Sequence, residues 1–191
     1  MIKKITTLLL LILLSGCFAE DNKTDTNTTS LHPEKKEASL FTLTTIEGST
    51  IHIDESKEGL NFKEFQDKVV LFIFFGYRCP PCLKEIPLLT ELTNKKLKDL
   101  EIIAMEVQGL NEKRLKAFAE RSGANYNLIS SDGNRPFIDY IIQRANWQGS
   151  IPFLLGFDKE GTVKIVHTGG VNREQFDKIY TALSQESNST E

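Results

Sequence analysis

Two of the three cysteines in this 191-residue chain stand three positions apart, in the run Cys79-Pro80-Pro81-Cys82. Thiols at i and i+3 share one face of a helix, so the pair can cycle between dithiol and disulfide and move two electrons. The preceding residues support that placement. Val69 to Phe75 is an unbroken apolar run, rich in β-branched and aromatic residues, the pattern of a strand buried on both faces. Gly76-Tyr77-Arg78 leads out of it, and proline is tolerated in the first helical turn, where backbone N–H groups lack intrahelical partners. Cys79 is therefore expected at a helix N-terminus, where free N–H groups and the macrodipole favour the thiolate, the attacking species in disulfide exchange. Cys82, one turn on, lies beneath it and closes the ring. A zinc half-site would need two more ligands at suitable spacing, and His32, His52 and His167 are scattered. A structural disulfide around so small a loop would add little stability. Redox exchange is expected, and no metal site.

The third cysteine needs its own account, because an odd count in an exported protein leaves one thiol over. Met1-Ile2-Lys3-Lys4 is a short positive start, and Ile5 to Leu14 is apolar apart from Thr6 and Thr7. That run is shorter than the ~20 residues a membrane-spanning helix needs and reads as a secretory signal. It ends in Leu14-Ser15-Gly16-Cys17, which resembles the lipobox of bacterial lipoproteins. The resemblance implies cleavage after residue 16 and a lipid on Cys17, anchoring the chain in the cell envelope on the periplasmic, or extracytoplasmic, side of a membrane. Disulfides persist in that compartment.

Hydrophobic content of 40% and charge of 26% are those of a chain with one buried core. The net charge of −3, with no basic face or Arg-rich arm, argues against nucleic acid as a partner. Residues 1–16 are expected to be the signal, 17–39 the lipidated cysteine and a polar linker, 40–183 the folded domain and 184–191 a polar tail. Within the domain, Leu40–Leu43 and Ile51–Ile53 flank Glu47-Gly48-Ser49 as a hairpin. A short helix is expected around Phe62 and Phe65. The helix opening at the cysteines is expected to run through Leu97, with Ile86, Leu89 and Leu92 inward. Ile102–Met105 and Tyr126–Ile129 read as strands, with a helix around Leu115 and Phe118 stopping at Gly123. A helix over Phe137–Arg144 follows, then strands at Phe153–Phe157 and Val163–His167 joined by Asp158-Lys159-Glu160-Gly161. Phe176, Ile179, Tyr180 and Leu183 form the stripe of a last helix. The order implies an α/β fold, a mixed sheet with helices on both faces.

Leu71 through Pro87, with Cys79-Pro80-Pro81-Cys82 at its centre, resembles the active-site segment of the TlpA/ResA/CcmG-like membrane-anchored thioredoxins. Gly149-Ser150-Ile151-Pro152-Phe153 resembles the segment carrying their cis-proline, and Asp158–Gly161 with Gly169-Gly170 their closing hairpin and glycine turn. The resemblance implies a thioredoxin fold with an N-terminal β-hairpin and a central βα insertion. It implies a thiol:disulfide oxidoreductase with no cofactor beyond its own disulfide. Its partners would be exported thiol or disulfide proteins, apocytochrome c among them, and a membrane electron donor of the DsbD/CcdA type.

It also assigns roles. Thioredoxins proper carry a buried aspartate where this chain has Ile73; the TlpA/ResA group instead has a glutamate where Glu85 stands. At i+3 from Cys82, Glu85 is on the face that would exchange a proton with that thiol. Pro87 is where thioredoxins kink this helix. Ile151-Pro152 is expected to be cis, the Ile151 backbone pairing with the substrate and Pro152 keeping the space over the cysteines open. Trp147 is placed near that loop. Arg78 departs from the family's tryptophan; its guanidinium either favours the Cys79 thiolate or faces solvent. Two other functions compete: a DsbA-like oxidase, whose long helical insertion is missing here, and an SCO-type copper chaperone, which spaces its cysteines one residue further apart and for which His167 is only a loose ligand candidate. No Thr-x-x-Cys pattern points to a peroxidase.

Overall fold

The computed structural model describes residues 40–185 apart from Lys96. The signal, Cys17, the linker and the end of the tail lie outside the described residues. The first elements are strands β1 (Phe41–Thr44), β2 (Thr50–Glu55) and β3 (Leu60–Phe62), which pair antiparallel in the order β1-β2-β3. Phe62 is thus a strand residue, registered opposite Ile53. Its ring is buried at the end of β3, so only Lys63–Phe65 remain to make a single 3-10 turn where a longer helix was expected.

The central sheet follows. Its strands are β4 (Val69–Phe75), β5 (Leu100–Glu106), β6 (Asn127–Ser130), β7 (Phe153–Phe157) and β8 (Val163–Thr168), in the order β6-β5-β4-β7-β8. The β4–β5 and β5–β6 pairs are parallel, and the β4–β7 and β7–β8 pairs antiparallel. The helices are α1 (Pro80–Asn94), α2 (Glu112–Ser122), α3 (Arg135–Arg144) and α4 (Arg173–Ser184).

Strand β4 explains its own composition. Val69, Leu71, Ile73 and Phe75 pack with Ile86, Leu89 and Leu92 of α1 and with apolar residues of α2 and α4. Val70, Phe72 and Phe74 pack on the other face with Phe137 and Ile141 of α3 and with the small sheet. Both faces are covered, so no position in β4 can be polar, and each large side chain contributes about 1.5–3 kcal/mol of burial. The mixed sheet, the hairpin and the βα unit of β6 and α3 between α2 and β7 accord with the expected fold.

Helix α1 ends at Asn94, short of the expected Leu97. The chain must reverse to enter β5, and the Leu100 N–H donates to the Leu97 carbonyl, placing Leu97 in that turn. Helix α2 stops as the sequence indicates: Gly123 takes a left-handed conformation (φ 74°) that L side chains resist, and its N–H caps Ala119.

Candidate active site

The parallel strands β4 and β5 end side by side, Phe75 registered with Glu106, and the site forms beyond their carboxyl ends. Gly76 carries the chain out of β4. A Cβ there would stand 2.3 Å from Gln108 Cδ, so only glycine admits the Gln108 side chain. That side chain reaches across to accept a hydrogen bond from the Arg78 N–H at 2.9 Å. Glu106, fully buried, accepts from Gln108 N–H at 2.9 Å, Leu110 N–H at 2.7 Å and, more weakly, Tyr77 N–H at 3.4 Å. The loop before Cys79 is thereby tied to the loop after β5.

Cys79 is the N-cap of α1. Pro80 and Pro81 occupy its first two positions and carry no N–H, so the first amide available at the helix end belongs to Cys82. It points at the Cys79 sulfur, 3.3 Å away. In the reduced protein the same donor would face a Cys79 thiolate, the capping role that serine or aspartate oxygens play elsewhere. Cys79 and Cys82 form a disulfide with Cα atoms 5.2 Å apart, and both are buried.

Opposite them lies the loop before β7. The Ile151-Pro152 peptide is cis, as expected, and the Ile151 carbonyl oxygen is 3.7 Å from Cys79 Sγ. The Gly169 N–H donates to the Pro152 carbonyl at 2.8 Å, fixing this loop to the glycine turn. Trp147 supports it from below: the indole N–H donates to the Ser150 carbonyl at 2.7 Å, and the ring stacks on Phe153 at 5.2 Å. Its expected place near the loop is its observed one.

Glu85, one turn beyond Cys82, is buried at 6% exposure. Its Oε1 accepts a 2.5 Å hydrogen bond from the Val171 N–H, and a Cβ on Gly170 would stand 3.7 Å from the same oxygen. Burial pushes its carboxyl up to about 7 against the opposing pull of the Val171 N–H. Burial, with the Glu85 charge adding to it, also raises the Tyr126 phenol. An open groove of about 590 Å³, lined by Pro81, Lys84, Glu85, Pro87 and Gly170, runs alongside. Pro87 lies inside α1. Arg78 is exposed, its guanidinium over the Tyr77 ring at 4.9 Å from the centroid. His167 lies on β8 opposite Leu154, and no group of three or more His, Cys, Asp or Glu suited to a metal ion occurs among the described residues.

The family model of the AhpC/TSA family matches residues 35–166. The chain belongs to the AhpC/TSA family. Among similar proteins, the thiol-disulfide oxidoreductase ResA of Halalkalibacterium halodurans is 26% identical over 136 residues, covering 70% of this chain and 72% of that one. A ResA of Bacillus cereus is 27% identical over 175 residues, 90% of this chain and 86% of the relative. The solved thioredoxin-family thiol:disulfide interchange protein of Chlorobium tepidum superposes with a TM-score of 0.59 at 21% identity, covering 75% and 92% of the two chains. StoA of Bacillus subtilis gives 0.56 at 16%, covering 75% and 97%. The fold is the thioredoxin fold, and this member of the family is a thiol-disulfide oxidoreductase with Cys79 and Cys82 as its redox pair.

Glu106, Gln108 and Val171 were not anticipated from sequence. A lone acid closing the apolar stretch Ile102–Met105 was the available signal for Glu106. Glu106→Ala would leave three N–H groups without their acceptor, at about 1–3 kcal/mol for each one left buried. We expect a loss of ~3 kcal/mol in urea unfolding, with Glu106→Gln milder because an amide oxygen still accepts. A loss under about 1 kcal/mol for the alanine variant would mean water replaces the carboxylate there.

Proposed function

We propose that the chain acts in the cell envelope as a dithiol reductase of exported proteins, held at the membrane by a lipid on Cys17. The observation that carries the mechanism is Glu85, a buried carboxyl held near 7 one turn from Cys82 and accepting a hydrogen bond from the Val171 N–H. In this reading the Cys79 thiolate attacks a partner disulfide. A Cys79–partner bond forms, the partner bond breaks, and the leaving sulfur takes a proton from solvent. Cys82 then gives its proton to the Glu85 carboxylate and attacks Cys79. The internal disulfide closes, the second partner thiolate leaves, and two electrons have passed to the partner. The Ile151 backbone aligns the partner chain and Pro152 keeps the approach open. A membrane dithiol donor of the DsbD/CcdA type would return the two electrons. Apocytochrome c is one partner class, by likeness to the family.

Equilibration of the couple with glutathione tests the direction. A helix-terminal thiolate raises the potential and membership of the ResA-like group lowers it. We expect a value within about −270 to −120 mV, nearer the reducing end. A potential at the upper limit, with peptide thiols oxidised faster than peptide disulfides are reduced, would make the protein a DsbA-like oxidase. For the anchor, Cys17→Ala should abolish acylation and membrane retention while the purified domain keeps its exchange activity. Retention of that variant on membranes after a high-salt wash would refute the lipid on Cys17.

A further inference from the structure

The mouth of the site carries a charge that the exchange chemistry does not use. Arg78 directly precedes Cys79, is exposed, and has no carboxylate partner among the described residues. Its position is nonetheless defined. The backbone N–H is held by Gln108, the preceding Tyr77 by Glu106, and the guanidinium lies over the Tyr77 ring. Stacking on an aromatic face restrains the side chain while leaving its in-plane N–H donors free. The residues that follow Cys79 in the first turn of α1 carry no exposed carboxylate. Pro80 and Pro81 are exposed, Leu83 is 39% exposed, and the two site carboxylates, Glu85 and Glu106, are buried. Lys84, on the groove wall beside Pro81, also has no ion pair among the described residues. Among the described residues, unpaired exposed cations such as Lys113 and Arg121 also occur on other faces, so what sets Arg78 apart is its restrained place beside the reactive sulfur. A chain of net charge −3 thus presents an unmatched, positive rim at its reactive sulfur.

We infer that Arg78, restrained by Tyr77, is a specificity-determining residue that selects polypeptide segments carrying an aspartate or glutamate beside the reactive cysteine. The carboxylate meets the guanidinium fork as the partner sulfur approaches Cys79 and is partly desolvated there, where the pair gains most. The inference rests on the reading that Cys79 forms the mixed disulfide; the sulfur chemistry is the exchange already described.

The test uses the reduced Cys82→Ser protein, which stops at the mixed disulfide. Three disulfide peptides of one sequence, with Glu, Gln or Lys beside the cysteine, are offered, and capture rates are read by mass spectrometry. The same series is run with Arg78→Lys and Arg78→Glu added. The Glu peptide should be captured about three- to tenfold faster than the Lys peptide, the range of a modest charge pair. Arg78→Lys should keep the order with a smaller ratio, Arg78→Glu should invert it, and high salt should flatten it. The ratio between peptides is compared across proteins, so the peptides' own thiol reactivity cancels. One ratio shared by all three proteins overturns the role of Arg78 and leaves the exchange reading standing. Capture of no peptide overturns both.

Discussion

Cys82→Ser is expected to turn the protein into a covalent trap, accumulating partners on Cys79 that survive non-reducing denaturation and are released by dithiothreitol. Cys79→Ser should trap few. The two sulfurs differ in setting: Cys79 caps α1, accepts the Cys82 N–H and faces the Ile151 carbonyl, whereas Cys82 is inside the helix at 2% exposure. Among the described residues, only the former has a hydrogen-bond donor in place to hold a thiolate at the mouth. Loss of either sulfur removes the two-electron couple, so catalytic reduction of a protein disulfide should fall to the uncatalysed rate in both variants. The asymmetry in trapping is the discriminating result. Equal trapping by both variants would show that neither position is privileged and would remove the assigned order of attack and resolution.

Glu85→Gln is expected to stabilise the oxidised protein at high pH and to remove a titration near neutrality from its exchange kinetics. Burial raises the folded carboxyl from 4.5 to about 7, so between these values the folded state holds more protons than the unfolded chain. Stability therefore declines as pH rises from about 4.5 to about 7 and stays lower above it. Glutamine carries no such penalty and its amide oxygen can still accept from the Val171 N–H. Unfolding in urea should favour Glu85→Gln by ~1–3 kcal/mol at pH 8, with the gap closing by pH 4 where the carboxyl is neutral. A gap of the same size at both pH values would assign the effect to packing. In kinetics, the amide cannot take the Cys82 proton, so resolution of the mixed disulfide should slow and lose its inflection near pH 7. An unchanged pH profile would leave Glu85 as a structural carboxyl only.

What could be read from the chain itself was local. The seven apolar residues of β4 announce a strand covered on both sides, because each alternate face must meet a hydrophobic layer. The spacing of Cys79 and Cys82, with proline tolerated at the helix start, places a redox pair on one turn. Gly123 ends α2 where the sequence puts it. The reading failed where neighbours in space override a local pattern. Phe62 suggested helix but is drawn into β3 by its pairing with Ile53, and α1 stops early because the chain must turn into β5.

The identities of the exchanging sulfurs and of Glu85 were thus visible in sequence, but their environment was not. Glu106 reaches Tyr77 from 29 residues away, Gln108 reaches Arg78 from 30, Ile151 faces Cys79 from 72, and Val171 meets Glu85 from 86. In each case one partner is a backbone N–H or C=O, and those groups are common to nearly every residue and leave no mark in the sequence. Strand register and loop closure select which of them face the site. The sequence by itself determined which two sulfurs form the redox pair and which carboxylate stands one turn beyond them; the tertiary structure decided which backbone groups hold them, and with that how deeply Glu85 is buried and where Arg78 stands.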